Sequence, residues 1–184
     1  MKLKRLQKMS YLLHIALKIF SIGTIVMLIS SVLMKLLSKN NVSINMVNEN
    51  EYTFLNFQTE FIPGSDTEQY DQTEQWILLG IAIFSFTILA ILLWMASMIF
   101  KDLATNFEPF SEIEIIRLRR ISQLLLIYSL VPQILYSILH TIIIPGYYFS
   151  FGLNMSLLFA IIFYCLTEIF RYGAFLQKES DETL

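Results

Sequence analysis

Apolar residues along this chain come in long runs uninterrupted by charge. Trp76 to Phe100 is 25 residues without a charged side chain, and Ile121 to Thr167 is 47. A hydrocarbon core of ~30 Å takes ~20 helical residues at ~1.5 Å each, so the first run predicts one membrane span. The second predicts two spans, divided at "PGYY", where Pro145 and Gly146 break a helix. Ile19 to Met34 adds 16 uncharged residues between Lys18 and Lys35, whose side chains can snorkel outward and lengthen this stretch to a full span. The pattern therefore predicts an all-α membrane protein, a four-transmembrane-helix bundle in one domain over residues 1–184. Its spans fall at about 11–37, 76–100, 121–144 and 150–170, with loops at 38–75 and 101–120 and a tail at 171–184. The basic start "MKLKRLQK" would also suit a secretory signal, but no small-x-small cleavage site follows the apolar stretch. It reads as a retained anchor.

Charge sets the expected orientation. Lys2, Lys4, Arg5, Lys8 and Lys18 precede the first span or edge it, Lys101, Arg117, Arg119 and Arg120 lie between spans two and three, and Arg171 and Lys178 follow span four. The other side carries only Lys35 and Lys39. By the positive-inside rule both termini are cytoplasmic, and the protein is a multi-pass component of the cell membrane. Loop 38–75 then faces outward with Glu49, Glu51, Glu60, Asp66, Glu68, Asp71 and Glu74 against Lys39. Val42, Ile44 and Met46 alternate with polar residues, as do Tyr52 and Phe54, with "NEN" between them, so a small β-hairpin is expected in this outer loop. The acidic stretch that follows fits either a solvated connector or a ligand-sensing or cation-binding surface. Trp76, Trp94, Tyr147 and Tyr148 fall where aromatic girdles lie in such a topology.

Composition adds mostly exclusions. The chain is 55% hydrophobic and 15% charged, against about 25% charged in a soluble domain. A single cysteine, Cys165, excludes an intrachain disulfide and a cysteine-based zinc cluster. His14 and His140 fall at opposite membrane faces, and there is no H-E-x-x-H, G-x-S-x-G, phosphate loop or C-x-x-C. Glu168, at the inner end of span four, is the one acid near a span, and Arg171 can pair with it at i,i+3. Catalytic, metal-binding and cofactor-binding sites are all expected to be absent, and no direct contact with nucleic acid is expected.

Two groups of residues remain as candidates. Ser129, Gln133, Ser137 and Thr141 recur every four residues and so line one face of span three. Such a seam either lines a polar path or glues helices together. On the cytoplasmic side, Ser111 and Glu114 form an S-x-x-E capping box, which predicts a helix start near Glu112. The basic turn beyond it, Arg117, Arg119 and Arg120, fits an interfacial cuff or a partner-docking ledge. The acidic tail could reach the same arginines.

The stretches "NFEPFS", "RLRRI" and above all "FRYGAFLQKESDETL" give the chain a resemblance to the bacterial four-helix membrane family catalogued as domain of unknown function 2975. The resemblance covers roughly Leu92 to Leu184 and departs from the family at Glu114 and Ile115, where members often carry an Asn. It implies no known activity. It does imply a cytoplasmic regulatory partner, since such proteins are often encoded beside a helix-turn-helix regulator. The expected contact residues are Pro109, Phe110, Arg117, Arg119, Arg120, Gln177, Glu179, Asp181 and Glu182. The sequence thus predicts a non-enzymatic regulatory or sensory protein. The alternative is an immunity or protective membrane protein, or a small transporter, working through the seam.

Overall fold

A computed structural model describes residues 2–37, 53–61, 71–105 and 111–182. Four helices dominate it: α1 (Lys2–Leu37), α2 (Asp71–Thr105), α3 (Glu112–Ile143) and α4 (Met155–Glu182). All four are long and apolar enough to cross a membrane, with hydropathies of 2.2, 2.7, 1.6 and 1.5 over their most apolar windows. Two strands, β1 (Thr53–Phe61) and β2 (Tyr147–Asn154), pair antiparallel. The protein is therefore mostly helical with a small sheet, and not purely α.

The helices pack as a row. Among the described residues, α1 rests on α2, α2 on α3, and α3 on α4 and β2, with no comparable contact between α1 and α4. Closure into the expected bundle is not seen. Two apolar clusters fill the α2–α3 seam: Ile77, Ile81, Tyr136 and Ile144 at the end near the sheet, and Ile88, Leu92 and Ile121 further along. The α1–α2 seam is closed by small polar groups instead. Ser21, 1% exposed, donates to the carbonyl of Ala90 at 3.0 Å. Ser97 Oγ meets His14 Nδ1 at 2.7 Å and donates to the His14 carbonyl at 3.1 Å. In lipid, where apolar side chains gain little by leaving their solvent, such contacts and close packing do the holding.

The two lysines that bracket the short apolar stretch of α1 both find tryptophans on α2. Lys18 Nζ lies 5.6 Å from the centroid of Trp94, and Lys35 Nζ lies 5.9 Å from that of Trp76. Trp76 and Trp94 are 18 residues apart, ~27 Å of helix. These cation–π pairs thus mark two levels about one hydrocarbon thickness apart. The Lys35–Trp76 end, which also carries β1 and β2, is the sheet end; the Lys18–Trp94 end carries the start of α1 and the end of α4.

The strands correct two expectations. Part of loop 38–75 is β-structure, but β1 pairs with the connection between α3 and α4, from Thr53 opposite Asn154 to Phe61 opposite Tyr147. The expected partner segment, Val42 to Met46, lies outside the described residues. The fourth helix begins at Met155 and not near residue 150, because residues 147–154 are taken by β2. Phe149, Phe151 and Leu153 alternate there with Ser150, Gly152 and Asn154, a strand period inside a run that reads as helix by hydropathy alone. Gly146, at φ 142°, makes the reversal from α3 into β2 in a region that L-residues rarely adopt. At the other end, α4 continues helical to Glu182, about three turns beyond Arg171.

Gln58 and Ser150 face each other across the two strands. The backbone of Ser150 bonds to Ser137, away from β1, so this is a non-hydrogen-bonded pair with closely spaced side chains. Gln58→Cys with Ser150→Cys, in a Cys165→Ser background, should form an intramolecular disulfide under mild oxidation, read as protection from a maleimide reagent. Persistent labelling of both thiols would contradict the β1–β2 register.

Candidate functional site

The polar seam predicted on span three is intact, and a strand fills it. Thr141 Oγ1 donates to the carbonyl of Tyr148 at 3.0 Å and accepts from the Tyr148 N–H at 3.3 Å. One turn on, Ser137 Oγ accepts from the Ser150 N–H at 3.1 Å and donates towards carbonyl oxygens at Gln133 (2.9 Å) and Ser150 (3.3 Å). Gln133 Oε1 accepts from the Gly152 N–H at 2.7 Å, while its Nε2 donates to the Ser129 carbonyl at 3.1 Å. Ser129 Oγ donates to Asn154 Oδ1 at 2.7 Å. Asn154 is also the cap of α4, accepting from the Leu157 N–H at 3.2 Å.

The match is geometric. Four helical residues rise ~6.0 Å and two strand residues ~6.6 Å, so side chains at i,i+4 can meet alternate peptide groups of a strand running the other way. The face of α3 thus serves as the second neighbour of β2, whose first is β1. Ser129 and Ser137 are 1% and 5% exposed, and Gly152 is buried. Water therefore has little access to the Ser129, Gln133 and Ser137 bonds, whereas the Thr141–Tyr148 pair is exposed.

An aromatic and polar cluster sits beside the ladder. Tyr136 and Tyr148 meet edge to face with centroids 5.0 Å apart, and His140 lies 4.8 Å from Tyr148. Tyr136 donates its hydroxyl to Glu74 Oε1 on α2 at 2.8 Å. His140 is buried, and its Nδ1 is one of two buried side-chain atoms without a hydrogen-bond partner among the described residues.

The second such atom is Glu114 Oε2, at the opposite end of α3. The cap forms as the sequence suggests: Ser111 Oγ accepts from the Glu114 N–H at 3.4 Å, and α3 starts at Glu112. The Glu114 side chain, however, turns to Arg117 at 2.7 Å, and Arg117 also reaches Asp102 on α2 at 2.5 Å. Arg117 is thus committed to the α2–α3 seam, and the acids it binds are these two and not those of the tail. Arg119 and Arg120 are exposed, as are Gln177, Glu179 and Glu182 on the last turns of α4. Lys178 pairs with Glu182 at 3.9 Å, and Arg171 with Glu168 at 2.7 Å as the spacing predicted. Pro109 and Phe110 lie outside the described residues, as does the side chain of Asp181.

At 32 residues α3 is ~48 Å long, so its charged first turns extend past a ~30 Å core and Glu114 stands outside the membrane-spanning segment. Burial pushes its carboxyl up from 4.5 to about 7, with Arg117 pulling it down and Asp102 pushing it further up. The sequence marked Glu114 as a cap and gave no sign that it would be buried between helices. Ser150, Gly152 and Asn154 were missed as well, although their alternation with Phe149, Phe151 and Leu153 was a readable signal. Among the described residues no group of three His, Cys, Asp or Glu side chains could hold a metal ion. No family model, curated protein or solved structure matches the chain. Fold and site together define a multi-pass membrane protein with a strand seated on a helix face.

Two measurements check this geometry. Gln133→Leu leaves the buried Gly152 N–H without its acceptor and should cost about 1–3 kcal/mol, seen as a lower melting temperature in detergent. Ser137→Ala should cost somewhat less, about 1 kcal/mol. The Glu114 effect has a defined sign: a carboxyl raised in the folded state favours folding while protonated. Stability should therefore fall as pH rises from 4.5 to about 7. Glu114→Gln should flatten that dependence, and Asp102→Asn should move it to lower pH, both read by thermal melts across the range.

Proposed function

We propose that this chain is a non-enzymatic regulatory or sensory protein of a bacterial cytoplasmic membrane. In this reading both termini are cytoplasmic and the β1–β2 sheet faces outward. A soluble cytoplasmic protein is the partner, with a helix-turn-helix regulator as the class that the family resemblance implies. The observation that carries the reading is the use made of the span-three seam. Its four polar side chains are occupied with the backbone and cap of β2, which favours mechanical coupling over a solute path. One uninterrupted helix, α3, joins that sheet to the buried Glu114–Arg117–Asp102 contact. A displacement of the outer loop would reach the cytoplasmic ledge through a single rod. Exposed Arg119, Arg120, Gln177 and Glu179 supply polar surface on that side.

The test is genetic. A deletion strain should show altered transcription of genes under a neighbouring regulator, and the full chain should restore it. A chain lacking residues 174–184 should reach the membrane in normal amounts and fail to restore it. The transport reading makes the reverse expectation: Gln133→Leu with Ser137→Leu would abolish function in a membrane-inserted protein, while the truncated tail would be tolerated.

A further inference from the structure

Between α1 and α2, at the sheet end, lies a cavity of about 150 Å³. Leu28, Ser31 and Val32 line it from α1, and Ala82, Ile83 and Phe86 from α2. Two small side chains, Ser31 and Ala82, line it together with the larger Leu28, Val32, Ile83 and Phe86. The Ser31 hydroxyl is turned back onto the Met27 carbonyl at 2.8 Å, so it offers the cavity no donor. The space is lined mostly by apolar side chains, so it suits hydrocarbon better than water.

Its rim is different. Lys35, which also lines the cavity, donates to Gln75 Oε1 and lies 5.9 Å from the centroid of Trp76, so its ammonium sits at the interfacial level. Among the described residues no carboxylate lies within ion-pairing distance of it. Glu74, the acid next to Gln75, is engaged by the Tyr136 hydroxyl from α3. The Lys35 ammonium has three N–H donors, one of them directed at Gln75, and lies directly above an apolar slot between α1 and α2.

We propose that this cleft is a binding site for an anionic glycerophospholipid. One acyl chain fills the space between Ser31 and Ala82, and the headgroup phosphate is held by the Lys35 ammonium. Trp76 stacks at the glycerol level, with its ring half exposed for that purpose at 46%. The cation at the headgroup level selects for the charge of such a lipid, and the gap beneath it holds an acyl chain.

Trp76 also provides the readout. The full-length protein, carrying Trp94→Phe so that Trp76 is its one tryptophan, is placed in phosphatidylcholine bilayers. Brominated phosphatidylglycerol or brominated phosphatidylcholine is then titrated in. Phosphatidylglycerol should quench at about fivefold lower mole fraction, the worth of one lysine against an anionic lipid. Lys35→Gln should abolish that preference, and Lys35→Arg should keep it. Ala82→Leu, which fills the slot, should weaken quenching by both lipids. Equal quenching by the two lipids in the parent protein would overturn the proposal. So would a preference that survives Lys35→Gln, or quenching that Ala82→Leu leaves unchanged. Loss of the preference on adding soluble glycerol phosphate would likewise overturn it, since it would make Lys35 a site for free phosphate. Unchanged helical circular dichroism in each variant separates these outcomes from misfolding.

Discussion

Every backbone N–H and C=O that lies at membrane depth must find a partner inside the protein, because hydrocarbon offers none. Helices meet this condition by themselves; a strand does not. Residues 147–154 therefore depend on what lies on either side of them. On one side β1 supplies an antiparallel ladder, and on the other α3 supplies hydroxyls and an amide in strand register. Much of the sheet end follows from this. The ladder delivers Tyr148 to Tyr136 and His140, Tyr136 reaches Glu74 on α2, and Asn154 fixes where α4 begins.

Serine, threonine and glutamine suit the task for a physical reason. A hydroxyl can donate and accept at once, so Thr141 satisfies both backbone groups of one residue, Tyr148. Gln133 has a longer side chain, and its Oε1 accepts from the N–H of buried Gly152. The small mismatch between ~6.0 Å and ~6.6 Å per step accumulates to only about 2 Å over the ladder. Adjustable side chains absorb that difference more readily than a second strand could.

The opposite end of α3 follows a different rule. Arg117 bridges two carboxylates, one of them buried, and among the described residues the second oxygen of Glu114 has no partner. A buried, half-satisfied carboxyl beside another acid holds its proton more tightly, so the α2–α3 contact responds to pH where the ladder does not. One helix thus carries a fixed attachment at one end and a titratable one at the other. The α1–α2 pair shows the remaining solution, with a few interhelical hydrogen bonds and two lysine–tryptophan pairs at matched levels.

The sequence by itself determined how many helices are long enough to cross a membrane and where the charges divide. Uncharged length is a one-dimensional property, and the bilayer imposes it on each helix separately. It also marked Ser129, Gln133, Ser137 and Thr141 as one face, since helical period is local. What that face holds was decided only by tertiary structure. Hydropathy assigns Phe149 to Leu153 to a helix as readily as to a strand; the choice went to the strand because α3 and β1 were both in reach to satisfy its backbone. The partner of β1 lies some ninety residues away, and no local pattern encodes a pairing at that separation. The burial of Glu114 is of the same kind. A capping residue and a buried carboxyl read identically in sequence, and only the approach of Asp102 on α2 separates them.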